Sequence, residues 1–175
     1  MRKVLVCICA ALLLLTGCSS SSSSASARPS FYEYLGDYSY DSTSVAFVYE
    51  PVSDEDEYGI QYRAVTDMDA LLASDNTVCL YFYNSLSSDV YGITAGAEDI
   101  AQCTWSDMVF VMIDVLDDTE MATRYEVERV PEFVIVRSGN EISRFEGYNY
   151  EVWTMSDVAQ WVSSCGVRVD YTKIN

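Results

Sequence analysis

The sequence predicts an α/β protein with a mixed central sheet that carries helices on both of its faces. Over most of the chain, apolar runs rich in β-branched and aromatic residues alternate with segments of helical pattern, and a turn separates the last two strand segments. Half of the 175 residues are hydrophobic, which is enough to bury the core of one domain. Strand–helix alternation followed by a hairpin is typical of a sheet with both parallel and antiparallel neighbours.

The first predicted strand lies in a tyrosine-rich, acidic extension at residues 31–58, which precedes the main domain at residues 59–175. Residues 45–49 have the β-branched and aromatic content of a strand, and residues 60–65 form the next candidate. Residues 53–57 are acidic and polar, which predicts a solvated loop. The spacing of these acids does not fit a calcium-binding EF-hand loop, which needs a glycine turn and a distal glutamate.

Four further strands are predicted downstream. Two near-continuous apolar runs, at residues 77–83 and 108–113, indicate strands that are buried on both faces. Residues 133–137 and 141–145 flank a Ser-Gly-Asn turn at 138–140, which is a hairpin signal.

Four helices are expected between and after these strands. Thr66 is a candidate N-cap for a short helix through Leu72, and Ser156 is a candidate N-cap for the last helix. Residues 90–103 and 118–125 supply the other two. The predicted order is therefore β-α-β-α-β-α-β-β-α after the acidic loop.

The amino terminus has the pattern of an export signal. Residues 1–18 begin with Met, Arg and Lys, continue through an apolar run at 4–15, and end in Leu-Thr-Gly-Cys18. The apolar run is too short to span a bilayer of about 30 Å. An ordinary signal peptide with a chance cysteine is the simpler reading.

The same ending resembles the lipobox of bacterial lipoproteins. That resemblance implies that residues 1–17 are removed and that Cys18 becomes a lipidated amino terminus, with residues 18–30 forming the lipidated cysteine and a serine-rich tether. The expected location is the cell membrane, facing outside the cytoplasm, with membrane lipid bound through Cys18.

Charge and composition exclude several functions. The chain has 27 acidic and 10 basic residues and a net charge of −17, which repels phosphate backbones and argues against nucleic-acid binding. It contains no histidine, so a Ser-His-Asp triad and a histidine-ligated zinc site are excluded within this chain. No metal and no cofactor are predicted.

Several segments carry a resemblance to the thioredoxin family. Residues 125–131 look like the thioredoxin segment that ends in a cis-proline, and residues 82–86 are similar to the aromatic segment that leads into its redox motif. Three short segments, at 113–114, 136–139 and 145–147, also match the usual pattern of that family. The resemblance covers roughly residues 60–165, and it implies a thioredoxin-like fold and a cis bond between Val130 and Pro131.

The redox chemistry of that family has no counterpart here. Its two cysteines would fall at Ser87 and Val90, and a serine hydroxyl cannot form a mixed disulfide. Its buried carboxylate and lysine would fall at Tyr81 and Met112. The resemblance therefore implies a pseudo-active site made of Ser87, Ser88, Asp89 and Val90.

Two functions remain as hypotheses. The first is a redox-inactive adaptor that binds a protein or peptide outside the cytoplasm, beside the cis-proline loop at Val130 and Pro131. In this hypothesis Tyr83, Leu86 and Tyr91 form an apolar wall, although these side chains could instead pack the loop. Enzymatic activity is not favoured.

The second hypothesis is a thiol–disulfide oxidoreductase that uses a displaced cysteine, either Cys79, Cys103 or Cys165. The thioredoxin resemblance also implies that the helices ending at Cys103 and Cys165 lie on one face of the sheet. If a disulfide forms, these two residues are the expected pair.

Overall fold

The computed structural model describes residues 29–52 and 57–173. Its strands are β1 (Leu35–Asp37), β2 (Ser44–Pro51), β3 (Tyr58–Val65), β4 (Thr77–Tyr83), β5 (Val109–Asp114), β6 (Glu132–Arg137) and β7 (Asn140–Glu146). Its α-helices are α1 (Met68–Ala73), α2 (Val90–Thr104), α3 (Thr119–Arg124) and α4 (Met155–Ser164). Short 3₁₀ turns cover Ser30–Tyr34, Gly147–Asn149 and Tyr171–Lys173.

All seven strands join one mixed sheet in the order β1-β3-β2-β5-β4-β6-β7. The neighbours β4 and β5 are parallel, and every other neighbouring pair is antiparallel. From β3 to α4 the elements follow the predicted order, so the predicted α/β fold with a mixed sheet is confirmed.

Strands β1 and β2 of the predicted extension at residues 31–58 belong to the same sheet as the strands of the predicted domain at residues 59–175. Strand β2 lies between β3 and β5 and bonds to both. Its side chains at Ala46, Phe47 and Val48 are buried. A strand that is buried on both faces needs a neighbour on each edge to satisfy its backbone, which explains why β2 is internal.

The core forms two layers, one on each face of the sheet, because successive side chains of a strand point to opposite faces. One layer packs α2 and α4 on the sheet through Tyr81, Ala97, Ile100, Phe110, Phe133, Val158 and Val162. The other packs α1 and α3 through Leu71, Leu72, Leu80, Phe82, Val111, Met121 and Val134. The prediction of helices on both faces is confirmed.

Two predicted helix caps are wrong by one or two residues. Helix α1 is capped by Asp67, whose carboxylate accepts the Ala70 N–H at 2.9 Å, while Thr66 donates its hydroxyl to the Tyr34 carbonyl. Helix α4 begins after Thr154, which forms a capping box with Asp157. In both cases the true cap is hydrogen-bonded to the residue three positions further along the helix, Ala70 or Asp157.

Some predictions fall outside the described ranges. Residues 1–17, Cys18, the serine-rich tether up to residue 28 and most of the acidic loop at 53–57 belong to this group. In the part that is described, no helix is both long and apolar enough to cross a bilayer.

Candidate functional site

The loop between β4 and α2 carries the predicted pseudo-active site. The Asn84 carbonyl accepts the Ser87 N–H at 2.9 Å, and its side-chain oxygen accepts the Leu86 N–H at 2.8 Å. The Ser87 hydroxyl donates to the Asp89 carboxylate at 2.7 Å. The buried carboxylate of Asp114, at the end of β5, accepts the Leu116 N–H at 3.0 Å and the Ser85 N–H at 3.4 Å. The loop is therefore tied to itself and to β5.

The second half of the site is the loop before β6. The bond between Val130 and Pro131 is cis, as predicted. These two residues face the pseudo-active loop across a crevice of about 10 Å³, here called the cis-proline crevice. It is lined by Tyr81, Tyr83, Asn84, Ser87, Asp89, Val90, Ile93, Val130 and Pro131. The structure thus brings together all of the predicted pseudo-active-site and cis-proline-loop residues except Ser88, which is exposed nearby.

No thiol lines this crevice. Cys79 is fully buried within β4, and Cys103 is buried near the end of α2. Burial, with a smaller effect of Cys165, raises the pKa of the Cys79 thiol well above its usual range, and burial also raises the pKa of Cys103. Both thiols are thereby kept from the reactive thiolate form.

The expected disulfide between Cys103 and Cys165 is absent, because Cys79, Cys103 and Cys165 are all free. The end of α2 is occupied by the carboxyl-terminal segment, whose Asp170 N–H bonds to the Cys103 carbonyl at 3.0 Å. Cys165 instead packs on the core layer that contains Cys79. The two helices do share a face of the sheet, but their cysteines have different neighbours.

The positions where the family has a buried carboxylate and a lysine hold different chemistry. Tyr81 is fully buried, stacks on Phe133 at 4.9 Å between ring centroids, and lies next to Met112 of β5. Its hydroxyl lies 3.4 Å from that of Thr94, and burial raises the pKa of Tyr81 to about 12. The group beneath the crevice is therefore a neutral phenol at physiological pH.

Two large apolar side chains next to the crevice-lining residues Ser87 and Val90 are exposed to solvent. Leu86 and Tyr91 have exposed fractions of 84% and 85%, whereas Tyr83 is half-buried. Leu86 and Tyr91 therefore do not pack the loop, which was one of the two readings of the sequence. Clustered exposed apolar side chains mark interaction surfaces more often than isolated ones do.

Sequence reasoning missed the buried ion pair that follows the cis-proline. Glu132 is fully buried, and Arg144 of β7 donates to its Oε1 at 2.6 Å. Arg144 also bonds to Glu141 at 2.7 Å and to the Tyr125 carbonyl at 3.1 Å. Glu132 Oε2 has no partner within the described residues, and burial raises the pKa of this carboxyl. An acidic residue at the start of a buried strand was the available signal.

A larger cavity, here called the tyrosine groove, adjoins the crevice and shares Tyr83 and Val90 with it. Its volume is about 350 Å³, and its lining is Tyr62, Tyr83, Ser85, Val90, Tyr91, Thr94, Ala95, Glu98 and Met112. Tyr62, on β3, donates its hydroxyl to the Glu98 carboxylate on α2. Sequence reasoning did not identify this groove, because its walls come from distant elements.

Metal binding has no support among residues 29–52 and 57–173, where no group of three or more potential metal ligands is found. The chemistry available at the crevice is that of hydroxyls, one carboxylate, one carboxamide, backbone groups and apolar surface.

Comparison with known proteins gives one extensive match. The family model described as Thioredoxin matches residues 62–162, which is more than half of the chain. Strand β2 lies before the matched segment, so it is an addition to the part that resembles the family.

Individual relatives match less of the chain. Thioredoxin H5 and Thioredoxin H2-2 of Oryza sativa subsp. japonica are 36% and 42% identical over 47 and 43 residues. These segments are 27% and 25% of this chain and 35% and 32% of the two proteins, so the chain spans about a third of the length of these curated relatives.

Among solved structures, similar chains include the germline-specific thioredoxin Deadhead of Drosophila melanogaster and a thioredoxin of Trypanosoma brucei brucei. Their identities are 23% and 20%, each with a TM-score of 0.47. The matches cover 53% and 54% of this chain and 83% and 79% of those chains.

Proposed function

The chain belongs to the thioredoxin family, and from that premise we propose that it is a redox-inactive module that binds an extended protein or peptide segment. The observation that carries this proposal is the composition of the cis-proline crevice, where Ser87 and Val90 face Val130 and Pro131 and no thiol is present. Dithiol exchange needs an attacking thiolate and a resolving thiol. The cis-proline loop is present without either group.

Binding would combine backbone pairing with apolar contact. Val130, beside the crevice, offers backbone groups to an extended segment, as in other cases of strand addition. Leu86 and Tyr91, which adjoin the crevice-lining residues Ser87 and Val90 in the chain, offer exposed apolar surface. Because the Asn84 and Asp114 side chains hold the loop in place, this surface is preorganised, which lowers the entropic cost of association.

The oxidoreductase alternative gains no support from the geometry. Cys79 is fully buried, and the pKa values of Cys79 and Cys103 are both raised, mainly by burial. Cys165 is partly exposed but does not line the cis-proline crevice. A displaced catalytic cysteine would need exposure and a lowered pKa.

The proposal includes a location. Cys18 would be acylated and the serine-rich segment that follows it would act as a tether, holding the domain outside the cytoplasm. The partner would then be an extracytoplasmic protein or peptide that meets the domain at the membrane surface.

Site-specific photo-crosslinking tests the binding surface. A p-benzoylphenylalanine residue at position 86 is expected to give discrete protein adducts in cells that make the chain, and the additional change Tyr91→Ser should reduce them. The matched control places the same residue at Tyr40, which is 97% exposed and is not part of either cavity. Equal adducts from both positions would contradict the proposal.

Reduction of insulin disulfides separates the two functions. The full chain is expected to give no turnover above that of a variant with Cys79, Cys103 and Cys165 each changed to serine. Turnover that a single one of these substitutions abolishes would overturn the redox-inactive assignment.

A further inference from the structure

The tyrosine groove contains a tyrosine that donates to a glutamate, and elsewhere in the molecule the same kind of pair also holds a cation on the tyrosine ring. At Tyr148 the hydroxyl donates to Glu146 at 2.9 Å, and the Arg129 guanidinium carbon lies 5.6 Å from the centre of the tyrosine ring. This is a tyrosine–glutamate pair with a cation held on the ring. In the groove, Tyr62 donates to Glu98 in the same way.

The groove differs in having no cation. No basic side chain among residues 29–52 and 57–173 lines it, and each of them is held elsewhere. Carboxylates or hydroxyls hold five of them, namely Arg63, Arg124, Arg137, Arg144 and Arg168. Tyrosine rings hold the other two, namely Arg129 and Lys173. The chain itself therefore has no described group with which to complete the site.

The surroundings of the groove favour a positive charge. Only Oε1 of Glu98 accepts a hydrogen bond within the described part of the chain, so Oε2 retains its capacity. Burial, followed by the charges of Asp114 and Asp117, raises the pKa of Tyr83 to about 12. The pKa of Tyr62 is also raised, first by burial and then by Glu98. Both phenols therefore stay neutral, and nearby acids contribute negative potential.

We infer that the tyrosine groove binds the guanidinium group of an arginine side chain carried by a partner. A guanidinium is planar, so its face stacks on a tyrosine ring while the N–H groups at its edge bond to a carboxylate, whereas a lysine ammonium is a compact and more strongly hydrated charge that offers no flat face for stacking. The volume of about 350 Å³ admits an extended side chain as well as its head group. That the arginine belongs to a protein or peptide partner rests on the proposed function. The binding of a guanidinium group depends only on the residues of the groove.

The test titrates the full chain, held in detergent micelles, with Nα-acetyl-arginine amide while backbone amide shifts are followed by NMR. The shifts are expected at Tyr83, Tyr91 and Glu98. The citrulline analogue, which has the same shape but no charge, and the lysine analogue are expected to bind at least about tenfold more weakly, since a hydrogen bond to a charged group contributes roughly 1.5–3 kcal/mol. Equal binding of either analogue would overturn the inference.

Matched variants localise the effect. Glu98→Gln is expected to weaken binding about tenfold, whereas Asp99→Asn, at the exposed next position of α2, should leave affinity within about twofold because exposed charges are strongly screened. Tyr91→Ala, at an exposed position, should weaken binding even if Glu98→Gln fails to fold. Unchanged affinity in Tyr91→Ala and in a folded Glu98→Gln would overturn the inference. Loss of crosslinks at Leu86 with retained arginine binding would instead count against the proposed function alone.

Discussion

At the scale of single residues, the ion pair beneath the cis-proline loop should dominate the local energetics. Removing Arg144 would leave the fully buried Glu132 without its partner, which typically costs about 3 kcal/mol or more of unfolding free energy. We expect Arg144→Ala to lose that amount in urea unfolding. Arg124→Ala is the control, because its pair with Asp69 is exposed and should cost less than about 1 kcal/mol. Equal losses would show that Glu132 does not depend on Arg144.

Glu132 should also give stability a pH dependence of unusual sign. Burial raises its pKa from the ordinary value of 4.5, so the folded protein holds this proton more tightly than the unfolded chain does. The stability gained from holding this proton is therefore fully present below pH 4.5, and it is lost as the pH rises through the pKa of Glu132 in the folded protein. As the pH rises through that value, the unfolding free energy of the unmodified chain should fall relative to that of Glu132→Gln, because the glutamine side chain does not titrate.

Asp107 provides the opposite case in the same titration. The side chain of Arg168 lowers the pKa of Asp107 from 3.8 to about 2. The stability that the Asp107 carboxylate contributes is present above pH 3.8 and is lost as the pH falls through about 2. Over that fall in pH, Asp107→Asn should therefore lose less unfolding free energy than the unmodified chain does. If the unfolding free energies of Glu132→Gln and the unmodified chain differ by the same amount at every pH, the pKa of Glu132 is not raised in the folded protein.

At the scale of elements, β2 decides whether the extension belongs to the folding unit. Phe47 is buried between the sheet and α2, so Phe47→Ala is expected to cost about 3–5 kcal/mol and to shift the single unfolding transition. Tyr40→Ala, in the same extension but exposed, should cost less than about 0.5 kcal/mol. Two separate transitions, with only one affected by Phe47→Ala, would restore the division at residue 58.

The elements from β3 onward could be predicted because their signals are local. Strand runs such as Thr77–Tyr83 and the turn before β7 are set by neighbouring residues, and Ser87, Val90 and Pro131 followed from a resemblance within short segments. The position of β2 and the contact of Tyr62 with Glu98 could not be predicted in this way. They join residues far apart in the chain, and single-sequence periodicity carries no information on such pairings.

At the scale of the whole molecule, the proposed anchor makes a direct prediction. Mass spectrometry of the membrane fraction should find an amino-terminal peptide that begins at Cys18 and carries a lipid adduct, because acyl chains give stable membrane attachment. Cys18→Ala should move the protein out of that fraction, while Cys79→Ala should not. An intact Met1 in the mature protein would contradict the prediction.

The internal position of β2 also bears on aggregation. A chain shortened to the segment that matches the family model would lack β2, and the edge of β5 that now pairs with it would be left open. An open edge of apolar residues is a template for intermolecular strand pairing. We therefore expect fragments that begin after residue 51 to form insoluble oligomers more readily than the longer chain does.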